Sequence, residues 1–325
     1  MKNKKIIVTG GAGYIGCHVV EELIKSGYQV TVIDRLSFDV NSLDSVEGHK
    51  NLTVIKEDLR NLNNLQSHLD GSEAVIHLAA LVGEAACNIS ESDSISTNYD
   101  ATIRLCDLAR KSKVKKFIFM STASSYGVQD TNEIANEKTK LNPVSLYAKT
   151  KIDSENDLLK NFSDDIEITI FRPSTVYGHS SRMRFDLILN HLVLDAFLKK
   201  EIKVFGPEMV RPLMWVGEPA RVYKKVIESE DSKFRSEIFN MGYDNENYKK
   251  IDIAKLVQSN FFKKIDMEII DKDKDIRSYR LDFSKMKKFF NLEPGSNLLK
   301  ATRIIFDNIS SKKYGDLESK KYYNT

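Results

Sequence analysis

Along the first half of the chain, short runs of β-branched and aliphatic residues alternate with longer stretches whose apolar positions recur at helical spacing. The runs Ile6 to Thr9, Gln29 to Ile33, Thr53 to Lys56, Ala74 to Leu78, Lys116 to Met120 and Ile166 to Phe171 read as strands. Between them, Gly16 to Ser26, Ile95 to Ser112 and Leu146 to Phe162 read as amphipathic helices. Nearly all-apolar strands separated by helices predict an α/β protein with a doubly wound parallel sheet, covered on both faces. After about Val176 the pattern loosens into isolated strands such as Ile202 to Phe205 and helices such as Asp252 to Lys263. This places the sheet domain at residues 1–175 and a smaller C-terminal lobe at 176–325, with segments of the latter returning to the first domain. The polar, Lys-rich stretch Ser310 to Thr325 is expected to fray or pack loosely.

Composition narrows the class. With 41% hydrophobic and 29% charged residues in 325, the chain reads as an ordinary soluble enzyme. Lys and Arg total 49 against 46 for Asp and Glu, a net charge of +3, which argues against a nucleic-acid binder because such a protein needs a concentrated basic surface. The cysteines Cys17, Cys87 and Cys106 are odd in number and lack metal-ligand spacing. Neither a disulfide framework nor a metal site is expected, and a reducing cytoplasm is the default location. No apolar run reaches membrane-spanning length.

Chemistry enters at the first strand-helix junction. Gly10-Gly11-Ala12-Gly13-Tyr14-Ile15-Gly16 fits G-x-x-G-x-x-G through Gly10, Gly13 and Gly16, or G-x-G-x-x-G through Gly11, Gly13 and Gly16. Such glycines permit a tight turn and bring backbone close to a pyrophosphate at a helix N-terminus, as in a Rossmann-like fold. Asp34, closing the second strand, is placed to accept hydrogen bonds from the adenosine ribose and to repel a 2′-phosphate, which favours NAD over NADP. Arg35 beside it opposes that preference slightly.

Tyr147 and Lys151 form Tyr-x-x-x-Lys, one turn apart on a predicted helix. A phenol with an unperturbed pKa of ~10 is a poor base at neutral pH, and a neighbouring ammonium would stabilise its phenolate. Upstream, the strand ending at Met120 runs into Ser121-Thr122-Ala123-Ser124-Ser125-Tyr126-Gly127. Hydroxyls at the carboxyl end of a central strand lie where a doubly wound sheet binds ligand.

The chain as a whole resembles the extended short-chain dehydrogenase/reductase family, the NAD-dependent epimerases and dehydratases of nucleotide sugars. The matching segments, in order, are GGAGYIG, Asp58-Leu59-Arg60, HLAA at His77 to Ala80, the Ser-rich segment ending Tyr126-Gly127, YAKTK and Arg172 to Gly178. RPLMWV from Arg211, FNMGYDNENY from Phe239 and DIRSYRLDFSKM from Asp275 follow. The resemblance implies NAD as cofactor, with Gly10, Gly13, Tyr14, Ile15, Asp34, Asp58, Leu59, Ala79, Ala80, Tyr147, Lys151 and Pro173 around it. It implies Thr122, Tyr147 and Lys151 as the catalytic set. It also implies that the C-terminal lobe binds a nucleotide-diphosphate sugar, with Thr122, Thr175, Asn190 and Arg211 as contacts. Arg182 and Arg184 are further candidates, since an arginine fork suits phosphate oxygens. A homodimer packed through the helices Ile95 to Ser112 and Leu146 to Phe162 is implied as well.

Departures from the family pattern narrow the reaction. The 4,6-dehydratases carry an Asp-Glu pair after the catalytic Thr, and the decarboxylating relatives also use an acid there; this chain has Ala123 and Ser124. The Asn of many epimerases before the second Tyr-Gly is Thr175. The expected function is oxidation at C4 of a UDP-, dTDP- or GDP-linked sugar through a 4-keto species, ending in 4-epimerisation. The alternatives are net 4-dehydrogenation or 4-ketoreduction, and, from another class, a non-catalytic dinucleotide sensor.

Overall fold

The computed structural model describes residues 4–324 except 39, 62, 130–132, 262–263 and 272–276, and of residue 84 the backbone alone. Three of the sequence readings therefore run outside the described residues: the helix reaching Lys263, the motif beginning at Asp275 and Ile276, and the Lys-rich stretch ending at Thr325. The strands are β1 (Lys5–Thr9), β2 (Gln29–Asp34), β3 (Leu52–Lys56), β4 (Ser72–His77), β5 (Lys116–Met120), β6 (Ile134–Ala135) and β7 (Glu167–Pro173). After them come β8 (Thr175–Tyr177), β9 (Glu201–Phe205), β10 (Val210–Trp215), β11 (Glu237–Met241), β12 (Asn247–Lys249), β13 (Asp266–Ile270) and β14 (Arg280–Leu281). The helices are α1 (Gly16–Lys25), α2 (Leu65–Leu69), α3 (Glu84–Ile89), α4 (Glu91–Ile95), α5 (Ala101–Lys111) and α6 (Leu146–Phe162). They continue with α7 (Ile188–Leu198), α8 (Glu218–Glu228), α9 (Lys250–Phe261), α10 (Ser284–Phe290) and α11 (Leu298–Ser310). None of the described helices is long and apolar enough to cross a membrane.

Seven strands form one parallel sheet in the order β3-β2-β1-β4-β5-β7-β11. Period-two alternation sends Ile6, Val8, Val30, Val32 and Ile76 into one core with α1 and α8, and Ile7, Ile33, Val75, Phe117 and Phe119 into a second with α2, α5 and α6. The order reverses between β1 and β4, and the crevice outside the strand ends there is where such sheets bind ligand. Beyond residue 176 the chain builds small sheets, β12-β10-β8, β13-β9 and β14-β6, and packs α7, α9 and α11 together. Midway through this lobe the chain returns through α8 and β11, which complete the large sheet and its cover.

Two expectations need correction. The helix expected over Ile95 to Ser112 is broken by a π-turn at Ser96–Asp100 before α5 begins. The turn delivers Asn98 inward, where its amide accepts from Leu81 N at 2.8 Å and donates to Leu81 O at 3.0 Å, pinning the segment after β4. The described part of the Lys-rich C-terminal stretch does not fray. Tyr314 and Tyr322 are buried, both pack edge-on to Phe185, and Phe185 N donates to Tyr322 O at 3.0 Å. A count of lysines passes over two aromatic rings, Tyr314 and Tyr322, that hide a large apolar area against Phe185.

At the carboxyl ends of β5, β7 and β11 lies a buried polar network. Arg172 on β7 meets Glu155 on α6 through Nε at 3.0 and 3.1 Å and Nη2 at 2.5 Å, with both side chains almost fully enclosed. Ser121 donates to the same carboxylate, while Arg172 Nη1 donates to Tyr126 OH at 3.1 Å and Tyr126 donates to Asn240 on β11 at 2.7 Å. Removing one partner of such a pair leaves a buried charge uncompensated. Arg172→Met is therefore expected to cost about 3–5 kcal/mol in urea unfolding. A loss below 1 kcal/mol would show that the network is not a major support.

Candidate active site

The switch point opens into a cleft of about 690 Å³ that runs from the glycine-rich turn to the small lobe. At Gly10 the backbone has φ +70°, and an added Cβ would lie 2.6 Å from Ala79 N; at Gly16 it would lie 2.1 Å from Gly10 O. These two glycines are required by the chain's own packing. A Cβ on Gly13 would meet only Gly10 O, at 3.1 Å, so Gly13 is the glycine beside open cleft. Helix α1 begins at Gly16 with no side-chain cap and no acid in its first turn, so the positive end of its dipole meets the cleft without a competing carboxylate.

Asp34 stands on the cleft wall at the end of β2. Its Oδ2 accepts from Ala12 N at 3.0 Å and its Oδ1 from Leu36 N at 2.8 Å. A carboxylate has about four acceptor positions, so two remain for ribose hydroxyls. Burial raises its pKa, and the two backbone amides act in the opposite sense. Arg35 leans toward Asp58, 3.5 Å away, and Asp58 is held bidentately by Arg60. The rival charge for a 2′-phosphate is thus partly neutralised. Leu59, Ala79, Ala80, Tyr14, Ile15 and Pro173 also line the cleft. The donor and acceptor set fits a dinucleotide.

Thr122 caps the short turn Ala123–Tyr126, its Oγ1 accepting from Ser124 N at 3.1 Å. Tyr147 enters from the first turn of α6, which Ser145 caps by accepting from Ala148 N at 3.2 Å. Burial pushes the Tyr147 phenol up to about 12, and the Thr122 side chain acts in the opposite sense. One turn further on, Lys151 donates to Met120 O at 2.9 Å and lies 4.6 Å over the Phe119 ring. Burial pulls its ammonium down to about 7. All three residues line the same cleft as Asp34.

The expected substrate contacts divide. Thr175, Arg182, Arg184 and Arg211 line the cleft. Arg184 is paired with Asp186 at 2.5 Å, and Arg211 donates to Val210 O at 3.0 Å and to Arg277 O. Asn190 does not line it. This residue is fully buried behind the wall, accepting from Gly178 N at 3.1 Å and donating to Tyr14 OH at 3.0 Å and Arg184 O at 2.8 Å. Helix α7 turns it toward the glycine-rich turn, so it positions Tyr14 rather than facing a ligand. Among the cleft residues that the sequence reading did not single out are Lys250, Tyr279 and Arg277, the last donating to Ser124 Oγ at 3.3 Å. Arg277 lay inside a recognised motif, and its charge was the available signal. His77 of the HLAA motif is a core histidine, bridging Thr9 at 2.6 Å and Thr102 at 2.8 Å, and burial depresses its pKa to about 3.

Fold and cleft together define a dinucleotide-binding α/β protein. More narrowly, the chain belongs to the NAD dependent epimerase/dehydratase family, whose family model matches residues 6–242. It is 29% identical over 306 residues to an uncharacterised UDP-glucose epimerase of Bacillus subtilis, covering 90% of this chain and 94% of that protein. It is 28% identical over 251 residues to a UDP-N-acetyl-alpha-D-glucosaminuronate decarboxylase of Bacillus cytotoxicus, covering 75% and 76%. The crystal structure of UDP-glucuronic acid 4-epimerase from Bacillus cereus with UDP-glucuronic acid and NAD superposes with a TM-score of 0.84 at 26% identity, covering 94% and 99%.

Two measurements test this site. Asp34→Ala should weaken NAD binding by ~1–3 kcal/mol in calorimetry, the range for losing charge-assisted hydrogen bonds; unchanged affinity would remove Asp34 from the site. Lys151 has a folded pKa of about 7 against about 10.5 unfolded. Between those values the unfolded chain binds more protons, so stability should rise with pH from 7 toward 10. Lys151→Met should flatten that rise in urea unfolding; an identical pH profile in the variant would contradict the assignment.

Proposed function

We propose that this enzyme oxidises C4 of a UDP-linked sugar and reduces the ketone from the other face, giving net 4-epimerisation. The observation that carries the reading is the convergence of Thr122, Tyr147 and Lys151 on the cleft that also holds the glycine-rich turn and Asp34. UDP is favoured over GDP and dTDP because the relatives named above act on UDP-sugars.

Bound NAD supplies the hydride acceptor for C4 and the donor for its return. Tyr147 takes the proton of the 4-hydroxyl and later gives it back. Its phenol is neutral at pH 7 when unliganded, so it needs nearby positive charge to act as a base, and Lys151 supplies part of it from the same helix face. Thr122, which lines the cleft with Tyr147, orients the reacting oxygen. The small lobe contributes Arg211 and Arg277 to the diphosphate, since guanidinium forks match phosphate oxygens.

Water is not eliminated in this reading. Loss of the C6 hydroxyl requires a placed acid and a base for the C5 proton. After Thr122 the chain offers Ala123, which is buried and has no proton to transfer, and Ser124, whose hydroxyl accepts from Arg277. That distinction matters because a decarboxylase stands among the relatives and dehydratases within the family.

Incubation with UDP-glucose, UDP-N-acetylglucosamine and UDP-glucuronic acid in deuterated water, followed by NMR, tests the reading. At least one 4-epimer should form without deuterium at C6 and without net reduced nicotinamide. A 6-deoxy-4-keto product labelled at C6 would overturn it, and stoichiometric reduced nicotinamide would make the enzyme a 4-dehydrogenase. Tyr147→Phe should lower turnover roughly 10²- to 10⁴-fold while retaining NAD. If most activity survived, the base would lie elsewhere.

A further inference from the structure

Arg182, in the cleft wall, makes no ion pair among the described residues. It is 2% exposed, yet it lines the cleft. Its guanidinium carbon lies 3.6 Å from the centre of the Phe38 ring. Nη2 donates to Asn324 Oδ1 at 2.6 Å, and Nη1 reaches Met183 O at a long 3.4 Å. Arg184, two residues on, is by contrast fully matched by Asp186. Leaving a guanidinium enclosed and unpaired is unfavourable unless an anion completes the site.

The position of Arg182 says which anion. Phe38 follows Asp34 on the segment leaving β2, on the dinucleotide side of the cleft. Ser180, two residues before it, donates to Tyr14 O at 2.8 Å and pairs with Cys17 Sγ at 2.9 Å, so the segment carrying Arg182 is fastened to the start of α1. Burial and the neighbouring Arg184 lower the Arg182 pKa, Asp186 opposes them, and its own charge lowers the Asp34 pKa. It therefore stands between the ribose-reading carboxylate and the helix N-terminus where a dinucleotide's phosphates lie. The segment that carries it is held by the C-terminal residues. His179 Nδ1 pairs with Tyr314 OH at 2.9 Å, Phe185 N donates to Tyr322 O, and Asn324 ends on the guanidinium itself.

We propose that Arg182, stacked on Phe38 and oriented by the C-terminal Asn324, is a clamp on the phosphates of NAD and not a contact for the sugar nucleotide. The C-terminal segment thereby becomes part of the cofactor site and slows loss of NAD between the two hydride transfers. This rests on the NAD-dependent reading of the cleft and extends it to residues at the far end of the chain.

The test compares the full chain with Arg182→Met and Asn324→Ala. It uses calorimetry with NAD and separately with UDP, plus thermal unfolding of nucleotide-free protein. Arg182→Met should weaken NAD roughly 10- to 100-fold, the loss expected for charge-assisted hydrogen bonds, and leave UDP affinity unchanged. It should not lower the melting temperature of the nucleotide-free protein, because a buried unpaired charge has been removed. Asn324→Ala should weaken NAD several-fold. If Arg182→Met fails to fold, Arg182 is a structural residue and the unpaired-charge argument falls; Asn324→Ala still measures the clamp. UDP affinity falling while NAD is unaffected would return Arg182 to the substrate half. No change in either ligand would also overturn the clamp. Unmodified protein that binds no NAD would overturn the cleft reading itself, which NAD-binding protein with unaffected variants would not.

Discussion

The ion pair between Glu155 and Arg172 is the interaction on which the geometry of the proposed catalytic residues depends. It joins α6 to β7 beneath the cleft, and Ser121 and Tyr126 join it from the segment after β5. Thr122 lies between those two residues, so the turn that carries it is tied on both sides. On α6, Tyr147, Lys151 and Glu155 follow at four-residue intervals on one face. The carboxylate that meets Arg172 thus fixes the depth and rotation of the helix presenting the other two. A shift of one turn would carry Lys151 away from Met120 O and Tyr147 away from Thr122. Polar groups here give the site its register, while apolar packing on both sheet faces supplies most of the stabilisation.

Much of this was legible in the sequence because it is local. Strand runs, helix periodicity and the glycine-rich turn are properties of neighbouring residues, and they led directly to the sheet and to the cleft at its switch point. The cleft residues Gly10, Gly13, Asp34 and Ala79 are tied to strand ends and so were placed together with the strands. What could not be read depends on distant partners. Asn190 carries a polar amide on an apolar helix, which reads equally well as a ligand contact or as a buried support. Only the positions of Tyr14 and Gly178 decide for support. Glu155 and Arg172 likewise give no sign, in a linear sequence, of lying opposite one another.

The C-terminal residues show the same limit from the other side. Their lysines describe a solvated tail, yet Tyr314 and Tyr322 supply enough ring surface to seat the segment against Phe185. Composition averages over a stretch, whereas burial is decided by a few large side chains within it. The π-turn at Ser96–Asp100 is a comparable case. A single added residue in the helical repeat rotates Asn98 into the interior, and no propensity scale registers that.

Between β7 and β8 stands only Ser174, so the same length of chain is a strand of the large sheet and, one residue later, a strand of the small lobe. Strand β7 is hydrogen-bonded on both sides, to β5 and to β11. Any outward swing of the small lobe would therefore pull along a strand clamped between two others, loading the whole row of hydrogen bonds in shear. Mechanically the crevice behaves as a stiff notch cut into one body. The spacing between its two walls is thus set by the same hydrogen bonds that hold the large sheet together.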